Sequence, residues 1–576
     1  MDKVRFRINS TEVEVAKGST ILDAARQYNI HIPTLCYYPD LGIKSDCRIC
    51  VVEIEGQKGL VTSCSTLVRE GITVFTNSPR VLNARKTIVE LILANHDANC
   101  TACPKNLNCE LQSLAKKLGI EHNRYESVLK LKPIDTGNAA LVRNPNRCIK
   151  CARCIDVCKN IQGVGVLEMM GRSHDMSIHP AFHQPLSDAF CTFCGQCASV
   201  CPVGAITEKD DTDRVWKALH DDEMTVICQV APSIRVSLGE EIQLPVGSIV
   251  TGKIVSCLKL MGFNHVFDTD FTADLTIMEE GSELIERLTH GGVLPMMTSC
   301  CPGWINFAET EFPEILPHLS SCKSPQQMFG ALAKTYFADK VKLDPSKLFV
   351  VSIMPCTAKK YEAKRPEMRI NGEDPDVDAV LTTRELGKMI RQMGIDFSNL
   401  EEADFDHPFG ITSGAGAIFG ASGGVMEAAL RTVAEIVNQS PLDDIDFLDV
   451  RGSEGIKEVT VELGGKPLHF AVSNNLKNAR KLAEEVKNGT SKYQFIEIMC
   501  CPGGCIGGGG QPYGTIAKTR DHRIQATYQV DQQMAIRKSH ENPAIQDLYR
   551  TYLEQPLSHK SHHLLHTHYY ARVNSH

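Results

Sequence analysis

Three features are scarce or absent in this sequence, and each absence excludes a class of protein. No apolar stretch approaches the ~18 residues that span a bilayer, and Met1 to Ile8 alternates like a strand without the apolar core of a signal peptide. Basic residues are not in excess, because the formal net charge is −8. Low-complexity segments are missing as well. We therefore expect a folded protein with no membrane segment and no nucleic-acid partner.

Cysteine, by contrast, is abundant, with 24 among 576 residues. In a secreted protein such a number would indicate disulfides. Here many cysteines occur in C-x2-C units, the chain is long and no signal peptide is evident. Thiolates that bind metal in a reducing, cytoplasmic compartment are therefore the better interpretation. The hydrophobic fraction of 43% and the charged fraction of 23% are ordinary, and the length predicts several domains.

Two cysteine runs about 40 residues apart carry the clearest signal. Each has the spacing C-x2-C-x2-C-x3-C, and proline follows the second. This double run is the signature of a two-cluster ferredoxin, in which the fourth cysteine of each run binds the other cluster. The spacing predicts two [4Fe–4S] cubes within residues 126–209. The ligands of one cube would be Cys148, Cys151, Cys154 and Cys201, and those of the other Cys158, Cys191, Cys194 and Cys197.

Residues 1–79 predict a small β-rich domain with its own cluster. Alternating residues flank Asn9-Ser10 in a hairpin pattern, and a capped, helix-like segment runs from Thr20 to Tyr28. The cysteine pattern resembles a β-grasp [2Fe–2S] ferredoxin, although its first gap is longer than the plant-type spacing. It is similar to the ferredoxin-like domain of complex I large subunits and of large hydrogenases. The predicted ligands are Cys36, Cys47, Cys50 and Cys64.

Residues 80–125 contain a mixed histidine and cysteine motif. Arg80 to Asn95 predicts one amphipathic helix, which leads into His96, Cys100, Cys103 and Cys109. One imidazole and three thiolates suit either zinc or an iron–sulfur cube. Taken alone the motif favours zinc. Its position between two iron–sulfur modules favours a further [4Fe–4S] cluster, and a similar motif occurs in complex I large subunits.

After about residue 210 the cysteines become fewer and longer α/β patterns begin. The apolar runs Thr225–Val230, Leu348–Met354 and Phe495–Met499 each lead into a loop with functional residues. Buried parallel strands have this pattern, and α/β proteins bind ligands at the carboxyl ends of strands. Together with Thr298–Trp304, these segments predict that four cysteine-bearing positions share one cluster.

Three motifs in this half carry a family resemblance. Thr298–Trp304, Met354–Lys360 and Glu497–Pro512 resemble, in order, the signature motifs of [FeFe]-hydrogenases. The resemblance covers essentially the whole chain and is closest to the large clostridial type. It implies a multidomain α/β and α+β protein with a β-grasp [2Fe–2S] domain, a small cluster domain with one histidine and three cysteines, and a two-cluster ferredoxin-like domain. Residues 210–576 would form a large α/β catalytic domain with the active-site cluster between two lobes.

The resemblance also implies an H-cluster, which is a [4Fe–4S] cube joined to a di-iron unit with CO, cyanide and a bridging dithiolate. By motif position Cys301, Cys356, Cys501 and Cys505 would bind the cube, and Cys505 would bridge to the di-iron unit. Cys500 departs from the family pattern. Such a site implies separate maturation proteins for the di-iron unit.

A proton relay is implied by the same match. Cys300 would exchange protons with the cofactor, and an ordinary thiol pKa of ~8.5 suits that role. The relay would continue through Glu280, Ser320 and Glu283 to Arg287 near the exit. Glu280 and Glu283 are three residues apart, so on a helix they share one face. From charge alone, that stretch would be a solvated helix surface.

Residues around the cofactor are implied similarly. Lys359 would pair with one cyanide, Pro232 and Ser233 would contact the other, and Gln326 would lie near a CO. A dry, polarisable wall would be formed by Met354, Phe419 and Met499. For the methionines, ordinary core packing is the plainer interpretation.

Some cysteines and histidines fit no cluster motif. Cys228, Cys257 and Cys322 predict small core side chains. The histidine-rich tail, from His559 to His568, could suggest a metal site. Its Leu-His-x-x-Tyr ending favours closure of the catalytic domain instead.

Three functions remain open at this point. The first is a reversible hydrogenase that exchanges electrons with ferredoxin or a similar low-potential carrier. The second keeps that chemistry in one subunit of an NAD(P)-linked or electron-bifurcating complex, whose partner subunits would supply the flavin or nicotinamide sites for which this sequence has no motif. The third is a non-catalytic iron–sulfur protein, which the full motif set, with Cys300 and Lys359, disfavours.

Overall fold

The computed structural model describes residues 2–370, 372, 374–453 and 455–572. The N-terminal domain is a mixed five-stranded sheet in the order β2-β1-β5-β3-β4, in which β1 pairs with β5 in parallel and the other pairs are antiparallel. Its elements are β1 (Lys3–Ile8), β2 (Thr11–Ala16), α1 (Ile21–Gln27), β3 (Val51–Ile54), β4 (Val61–Thr62) and β5 (Thr73–Phe75).

The predicted hairpin and capped helix of this domain are confirmed. Strand β1 buries every second residue against the core, including Phe6 and Ile8. Thr20 caps α1 through the amide of Asp23, and the Asp23 carboxylate accepts from the Thr20 amide in return. This reciprocal arrangement satisfies two amide groups that a helix start leaves without partners.

Two helices follow, α2 (Pro79–Leu93) and α3 (Glu110–Lys117). The first begins at the Ser78 cap and ends two residues earlier than the predicted Asn95. The two-run cysteine region then forms two short antiparallel pairs and two short helices. Its elements are β6 (Leu141–Arg143), α4 (Arg153–Asp156) with a π turn at Val157–Ile161, β7 (Glu168–Met170), β8 (Ser177–His179), α5 (Gln196–Ser199) and β9 (Ile206–Glu208).

The C-terminal part is built on two four-stranded sheets with helices packed around them. The first sheet, in the order β11-β10-β13-β14, is entirely parallel, and the second, β12-β17-β16-β15, has one antiparallel edge strand, β15. The strands are β10 (Thr225–Val230), β11 (His265–Asp268), β12 (Met296–Met297), β13 (Leu348–Met354), β14 (Ala379–Thr382), β15 (Ile456–Leu463), β16 (Lys466–Asn474) and β17 (Phe495–Met499).

The helices of this part flank both sheets, and the longest, α8, contains the glutamates of the predicted relay. They are α6 (Thr212–Leu219), α7 (Thr251–Leu260), α8 (Thr269–His290), α9 (Pro302–Glu311), α10 (Pro325–Leu332), α11 (Ala338–Val341), α12 (Ala358–Glu362), α13 (Thr383–Met393), α14 (Gly414–Ala417), α15 (Gly424–Asn438), α16 (Leu476–Lys487), α17 (Ala517–Gln533), α18 (Pro543–Leu548) and α19 (His559–Leu565). Within the described ranges, no helix has both the length and the apolarity needed to cross a bilayer.

The N-terminal modules pack onto each other and onto the C-terminal part. Arg153 makes an ion pair with Glu110 at 2.6 Å and donates to the carbonyl of Tyr37 at 2.9 Å, so one guanidinium joins three modules. Tyr38 donates to the carbonyl of Thr515 at 2.6 Å. These polar contacts connect the cysteine-bearing modules to each other and to the C-terminal part.

Candidate functional site

A buried cavity lies where four strands of the two sheets end. It is lined by residues that directly follow β10, β12, β13 and β17, and its volume of about 80 Å³ exceeds the roughly 10–15 Å³ that one water needs. Strand ends of parallel sheets collect the loops that bind ligands. The cavity therefore has the position and the size for a bound group of several atoms.

Five cysteines predicted for the active site line this cavity: Cys300, Cys301, Cys356, Cys501 and Cys505. Burial raises the pKa of Cys356, and the neighbouring sulfurs of Cys501, Cys301 and Cys505 raise it further. Thiolates this close together in a dry cavity are costly unless a metal neutralises them. The donor set consequently fits an iron–sulfur cube.

Glycines let the loop after β17 reach the cavity. At Gly504 the backbone has φ +89, and a Cβ there would lie 2.6 Å from the amide nitrogen of Ser422. At Gly508 a Cβ would lie 2.3 Å from the Pro355 carbonyl oxygen. Only residues without a side chain allow these approaches, and they fix Cys505 beside the other sulfurs.

Lys359 brings a buried positive charge to the same wall. Its Nζ donates to the carbonyl of Cys300 at 3.1 Å and pairs with Glu362 at 2.9 Å. Burial alone would lower the pKa of Lys359, but Glu362 holds it above its ordinary value. The ammonium is thus a fixed cation suited to an anionic ligand. Sequence reasoning missed Glu362, although its i+3 spacing on α12 is a usable signal.

The other predicted wall residues also line the cavity, namely Pro232, Ser233, Gln326, Met354, Phe419 and Met499. Gln326 donates through Nε2 to Glu362 at 3.1 Å, while its buried Oε1 has no hydrogen-bond partner. An unpartnered polar atom in a cavity wall is expected where a bound group completes the site. Thr269 and Ala273 of α8 line the cavity as well, and no sequence pattern had indicated them.

The predicted relay residues lie in one buried row from the cavity outward. Ser320 donates to Glu283 at 3.1 Å, and Glu283 pairs with Arg287 at 2.6 Å. Glu280 acts on both of its neighbours in this row, because its carboxyl group raises the pKa of Cys300 and a contact with Ser320 lowers its own pKa. Neither of its two buried carboxyl oxygens has a hydrogen bond of ordinary geometry. Both glutamates are buried, so the interpretation of this stretch as a solvated helix surface is wrong.

Burial also decides the protonation states of Cys300 and Glu280, the two relay residues nearest the cavity. Burial, with a smaller contribution from the nearby Glu283 carboxylate, raises the pKa of Glu280 to about 8. Burial likewise raises the pKa of Cys300 well above the ordinary value expected from the sequence, and Glu280 adds to the effect. Cys300 therefore remains a thiol, while Glu280 can change protonation near neutral pH.

The two predicted ferredoxin quartets surround two separate cavities. One is lined by Cys148, Cys151, Cys154 and Cys201, and the other by Cys158, Cys191, Cys194 and Cys197. The fourth cysteine of each run thus sits with the first three of the other run. Apart from these cysteines the walls are mostly apolar, as suits a cube with thiolate ligands.

The second of these cavities adjoins the active-site cavity. Cys194 lines both, and a Cβ at Gly509 would lie 2.1 Å from its carbonyl oxygen. Cys500 lies at this junction, where its amide donates to Cys301 Sγ at 3.3 Å. The Cys500 thiol lies beside both sulfurs and can donate to one of them at a time, which lowers the pKa of Cys194 and of Cys301 to about 7. Cys500 therefore links a predicted ligand of the accessory site to one of the active site.

The remaining predicted ligands lie in the two N-terminal modules. Cys50 and Cys64 approach to 3.3 Å between their sulfurs, and the amide of Cys36 donates to Cys47 Sγ at 3.4 Å. These four side chains thus form two close pairs within one domain.

The histidine motif also has a donor atom ready for a ligand. His96 is buried, and its Nδ1 has no hydrogen-bond partner. Burial lowers the pKa of His96, which keeps the imidazole neutral as metal binding requires. A Cβ at Gly204 would lie 2.6 Å from Cys103 Sγ, so this motif packs against the two-run region.

Both modules converge on the same neighbour. One hydrophobic cluster contains Leu35 and Ile49 of the first domain, Cys109 of the second and Cys201 of the third, with Cys47 and Cys148 packed against it. Both modules therefore pack against the module that holds the Cys148 quartet.

Cysteines outside the motifs are buried, as predicted for Cys228, Cys257 and Cys322. The tail packs on the second half, since Thr567 donates to the Ser321 carbonyl at 2.8 Å. Of the tail histidines, His566 is buried, whereas His559, His562, His563 and His568 are exposed.

Comparison with known families gives five matches in chain order. These are a 2Fe-2S iron-sulfur cluster binding domain over residues 1–79, the NADH-ubiquinone oxidoreductase-G iron-sulfur binding region over 85–124, the NADH-quinone oxidoreductase subunit 3 ferredoxin-like domain over 139–207, the C-terminal domain of the iron only hydrogenase large subunit over 224–509, and the iron hydrogenase small subunit over 517–572.

Individual proteins match over almost the whole chain. The NADP-reducing hydrogenase subunit HndD of Solidesulfovibrio fructosivorans is 47% identical and covers 99% of this chain and 100% of its own length. Iron hydrogenase 1 of Clostridium pasteurianum is 40% identical and covers 98% of this chain and 99% of its own length. A solved [FeFe]-hydrogenase of Chlamydomonas reinhardtii is 41% identical, with a TM-score of 0.58, and covers 63% of this chain and 99% of its own.

Proposed function

This chain belongs to the [FeFe]-hydrogenase family, whose members are oxidoreductases that act on H2, and from that premise we propose a specific reaction for it. The reaction is 2 H⁺ + 2 reduced ferredoxin = H2 + 2 oxidised ferredoxin. The observation that carries the proposal is the buried cavity at four strand ends, whose wall contains Lys359 and seven cysteines, five of them predicted for the active site. The family brings iron–sulfur clusters and an H-cluster as cofactors.

The proposed cofactor set is one [2Fe–2S] cluster, three accessory [4Fe–4S] clusters and the H-cluster. The proposed division of the chain is 1–79, 80–125, 126–209 and 210–576, with one cofactor module in each except the third, which would hold two cubes. The grouping of the cysteines around separate cavities supports this set. The orphaned Nδ1 of buried His96 supports a ligand at the histidine motif.

When bound, the H-cluster supplies the heterolytic chemistry of H2 and the accessory clusters supply single-electron transfer. The chain itself must move one proton for each electron. We assign Cys300 as the thiol next to the cofactor, Glu280 as the group that changes protonation, and Ser320 and Glu283 as the connection toward Arg287. The contacts at 3.1 and 2.6 Å in the outer half support this order.

Other residues of the cavity wall would position the cofactor and exclude water. Lys359, held by Glu362, would face an anionic ligand such as cyanide. Ser233 offers a buried amide and hydroxyl for a second anionic ligand. Met354, Phe419 and Met499 would keep this part of the wall dry, which strengthens every charge interaction inside it.

A second candidate function has one specific observation in its favour. The relative at 47% identity is named as a subunit of an NADP-reducing hydrogenase. In that case partner subunits would carry electrons between NADP and this chain, and the cavity chemistry would be unchanged. The N-terminal modules would then receive electrons from a protein other than ferredoxin.

Two measurements on protein purified without oxygen separate the candidates. The proposal predicts H2 evolution from reduced ferredoxin by the lone 63.5 kDa chain. A stable complex on size exclusion, with H2-dependent reduction of NADP that the isolated chain lacks, would favour the second function. The 24 free cysteines favour a reducing compartment, so we propose a cytoplasmic location.

A further inference from the structure

The C-terminal segment brings a histidine to the outer end of the relay. His566 Nδ1 lies 2.8 Å from Ser321 Oγ, and the same hydroxyl lies 3.1 Å from Glu283 Oε2. Two backbone hydrogen bonds hold the segment in register, from Thr567 to the Ser321 carbonyl and from Lys323 to the Leu565 carbonyl. A continuous hydrogen-bonded connection therefore leads from Glu283 to the imidazole of His566. It is separate from the connection between Glu283 and Arg287.

The other ring nitrogen faces a second buried carboxylate. His566 Nε2 lies 3.0 Å from Glu279, which also accepts from Tyr549 at 2.5 Å, from Ser561 and from the Leu557 amide. Burial alone would raise the pKa of Glu279, but hydrogen bonds from His566, Ser561 and Tyr549 hold it below its ordinary value. The carboxylate thus fixes a proton on Nε2 and leaves Nδ1 to accept one.

We propose that His566 is a proton-accepting side branch of the relay, loaded from Glu283 through Ser321. The branch rests on the proposed hydrogenase function, because a relay is needed only if protons reach the cavity. His566 is a positioning and proton-storing residue here and does not touch the cofactor. Tyr549, Ser561 and Glu279 would stabilise the imidazolium.

The transfer conserves atoms and charge. Protonated Glu283 passes its proton to Ser321 Oγ, and the proton of that hydroxyl moves to His566 Nδ1. One O–H bond of the carboxylic acid breaks, one N–H bond forms, and Ser321 ends as a hydroxyl again. The products are a Glu283 carboxylate and an imidazolium whose Nε2–H still donates to Glu279. No electrons are transferred, and the reverse path returns the proton.

The groups that face His566 are consistent with proton storage. Besides Glu279, Ser321 and Glu283, the Cys322 sulfur lies 4.0 Å from Nδ1. The ring of His562 packs at 4.2 Å between centroids, and this residue is exposed. The donor atoms of Glu283, Cys322 and His566 lie within 4.8 Å of one another, a spacing a metal could use. Both ring nitrogens already have protein partners, which favours the proton.

The test replaces the ring by a group that keeps hydrogen bonds but cannot accept a proton. His566→Gln is compared with His563→Gln, an exposed histidine on α19, the helix that ends directly before His566. We expect His566→Gln to lower turnover about three- to tenfold with a changed pH profile. That is less than the ~10²–10⁴ of an essential acid–base group, since the Arg287 route remains. His563→Gln should match the wild type in both rate and pH profile.

A second readout does not depend on turnover. Infrared difference spectra against pH report the carboxylic-acid band of Glu283, which Glu283→Gln assigns by removing it. Because the branch moves the proton of Glu283 to His566, His566→Gln should change the pH dependence of this band. A purely structural His566 would leave the midpoint unchanged in the folded variant, and that result overturns the branch.

Failure of the branch and failure of the proposed function are distinguishable. Wild-type protein that evolves H2, with His566→Gln showing the wild-type rate, pH profile and infrared midpoint, refutes the branch alone. Wild-type protein with all clusters loaded and no H2 activity refutes the function, whatever the infrared titration of Glu283 shows.

Discussion

Glu280 has a raised pKa that lets it gain and lose a proton near neutral pH. Replacing it by glutamine tests whether the relay runs through this residue. Burial raises the pKa of Glu280 from 4.5 to about 8, which corresponds to about 5 kcal/mol against ionisation. At pH 7 roughly nine-tenths of the side chain is therefore protonated, and at pH 9 roughly one-tenth. Glutamine keeps the size and neutrality of the protonated form but cannot pass a proton on.

The expected result has a definite pH dependence. In the wild type, H2 evolution should fall about fivefold between pH 8 and pH 9 as the proton leaves Glu280, and H2 oxidation should rise about fivefold between pH 7 and pH 8. Glu280→Gln should lower turnover in both directions by ~10²–10⁴, the usual contribution of a positioned acid–base group. The change near pH 8 should disappear with it.

The raised pKa of Glu280 also predicts an effect on stability. Glu280→Gln should lower turnover but make the folded state more stable at high pH. Between pH 4.5 and about 8 the folded state keeps a proton on Glu280 that the unfolded chain releases. Stability from this group is therefore complete below that range and is lost as the pH rises through about 8. Glu280→Gln removes this dependence, so the variant should resist inactivation above pH 8 better than the wild type.

The assay measures H2 evolution and oxidation from pH 6 to pH 9.5 with an artificial electron carrier. Glu286→Gln is the matched control, since Glu286 is exposed on the same helix and should behave as the wild type. The CO and cyanide infrared bands must be retained in both variants. Glu280→Gln with more than about a tenth of wild-type turnover, or a wild type without an inflection near pH 8, would refute the relay through Glu280.

Three further predictions concern single side chains. Cys300→Ser should keep the CO and cyanide bands and lose at least ~100-fold in turnover, and unchanged turnover would contradict its role as donor. Cys500→Ala should lower the reduction potential of one neighbouring cluster by about 20–60 mV in an EPR-monitored titration, because it removes a thiol that can donate one hydrogen bond of ~1 kcal/mol to the sulfur of Cys194 or of Cys301 while the backbone amide stays. An unchanged potential would show that the thiol does not act on either cluster. His96→Ala should lower the iron content by about four atoms per chain, whereas loss of zinc at constant iron would restore the zinc interpretation.

The sequence predicted those parts of the fold in which one segment determines its own structure. Thr225–Val230, Leu348–Met354 and Phe495–Met499 are strands with the predicted bounds, because buried parallel strands appear as continuous apolar runs. The hairpin and the capped helix at Thr20 were predictable for the same local reason. Cysteine spacing likewise carries its own ligand pattern, so the quartets could be grouped from the sequence alone.

The rest depended on contacts between distant segments. His566 and Ser321 are 245 residues apart, and no periodicity in either segment indicates that they meet. The position of Cys194 on two cavities, and of Cys500 between them, follows from packing of the third module against the loops after β12 and β17. The raised pKa of Cys300 follows from burial, which its sequence neighbours do not reveal.

The most direct test of the central claim is the infrared spectrum of the matured chain, recorded without oxygen. An H-cluster held by Cys301, Cys356, Cys501 and Cys505 predicts CO and cyanide stretching bands that shift when H2 is admitted. The same bands should vanish in Cys505→Ala while the accessory clusters remain. The control is a positive one, matured in parallel with this chain. If the accessory clusters are loaded and the CO and cyanide bands are both absent, the result contradicts the account.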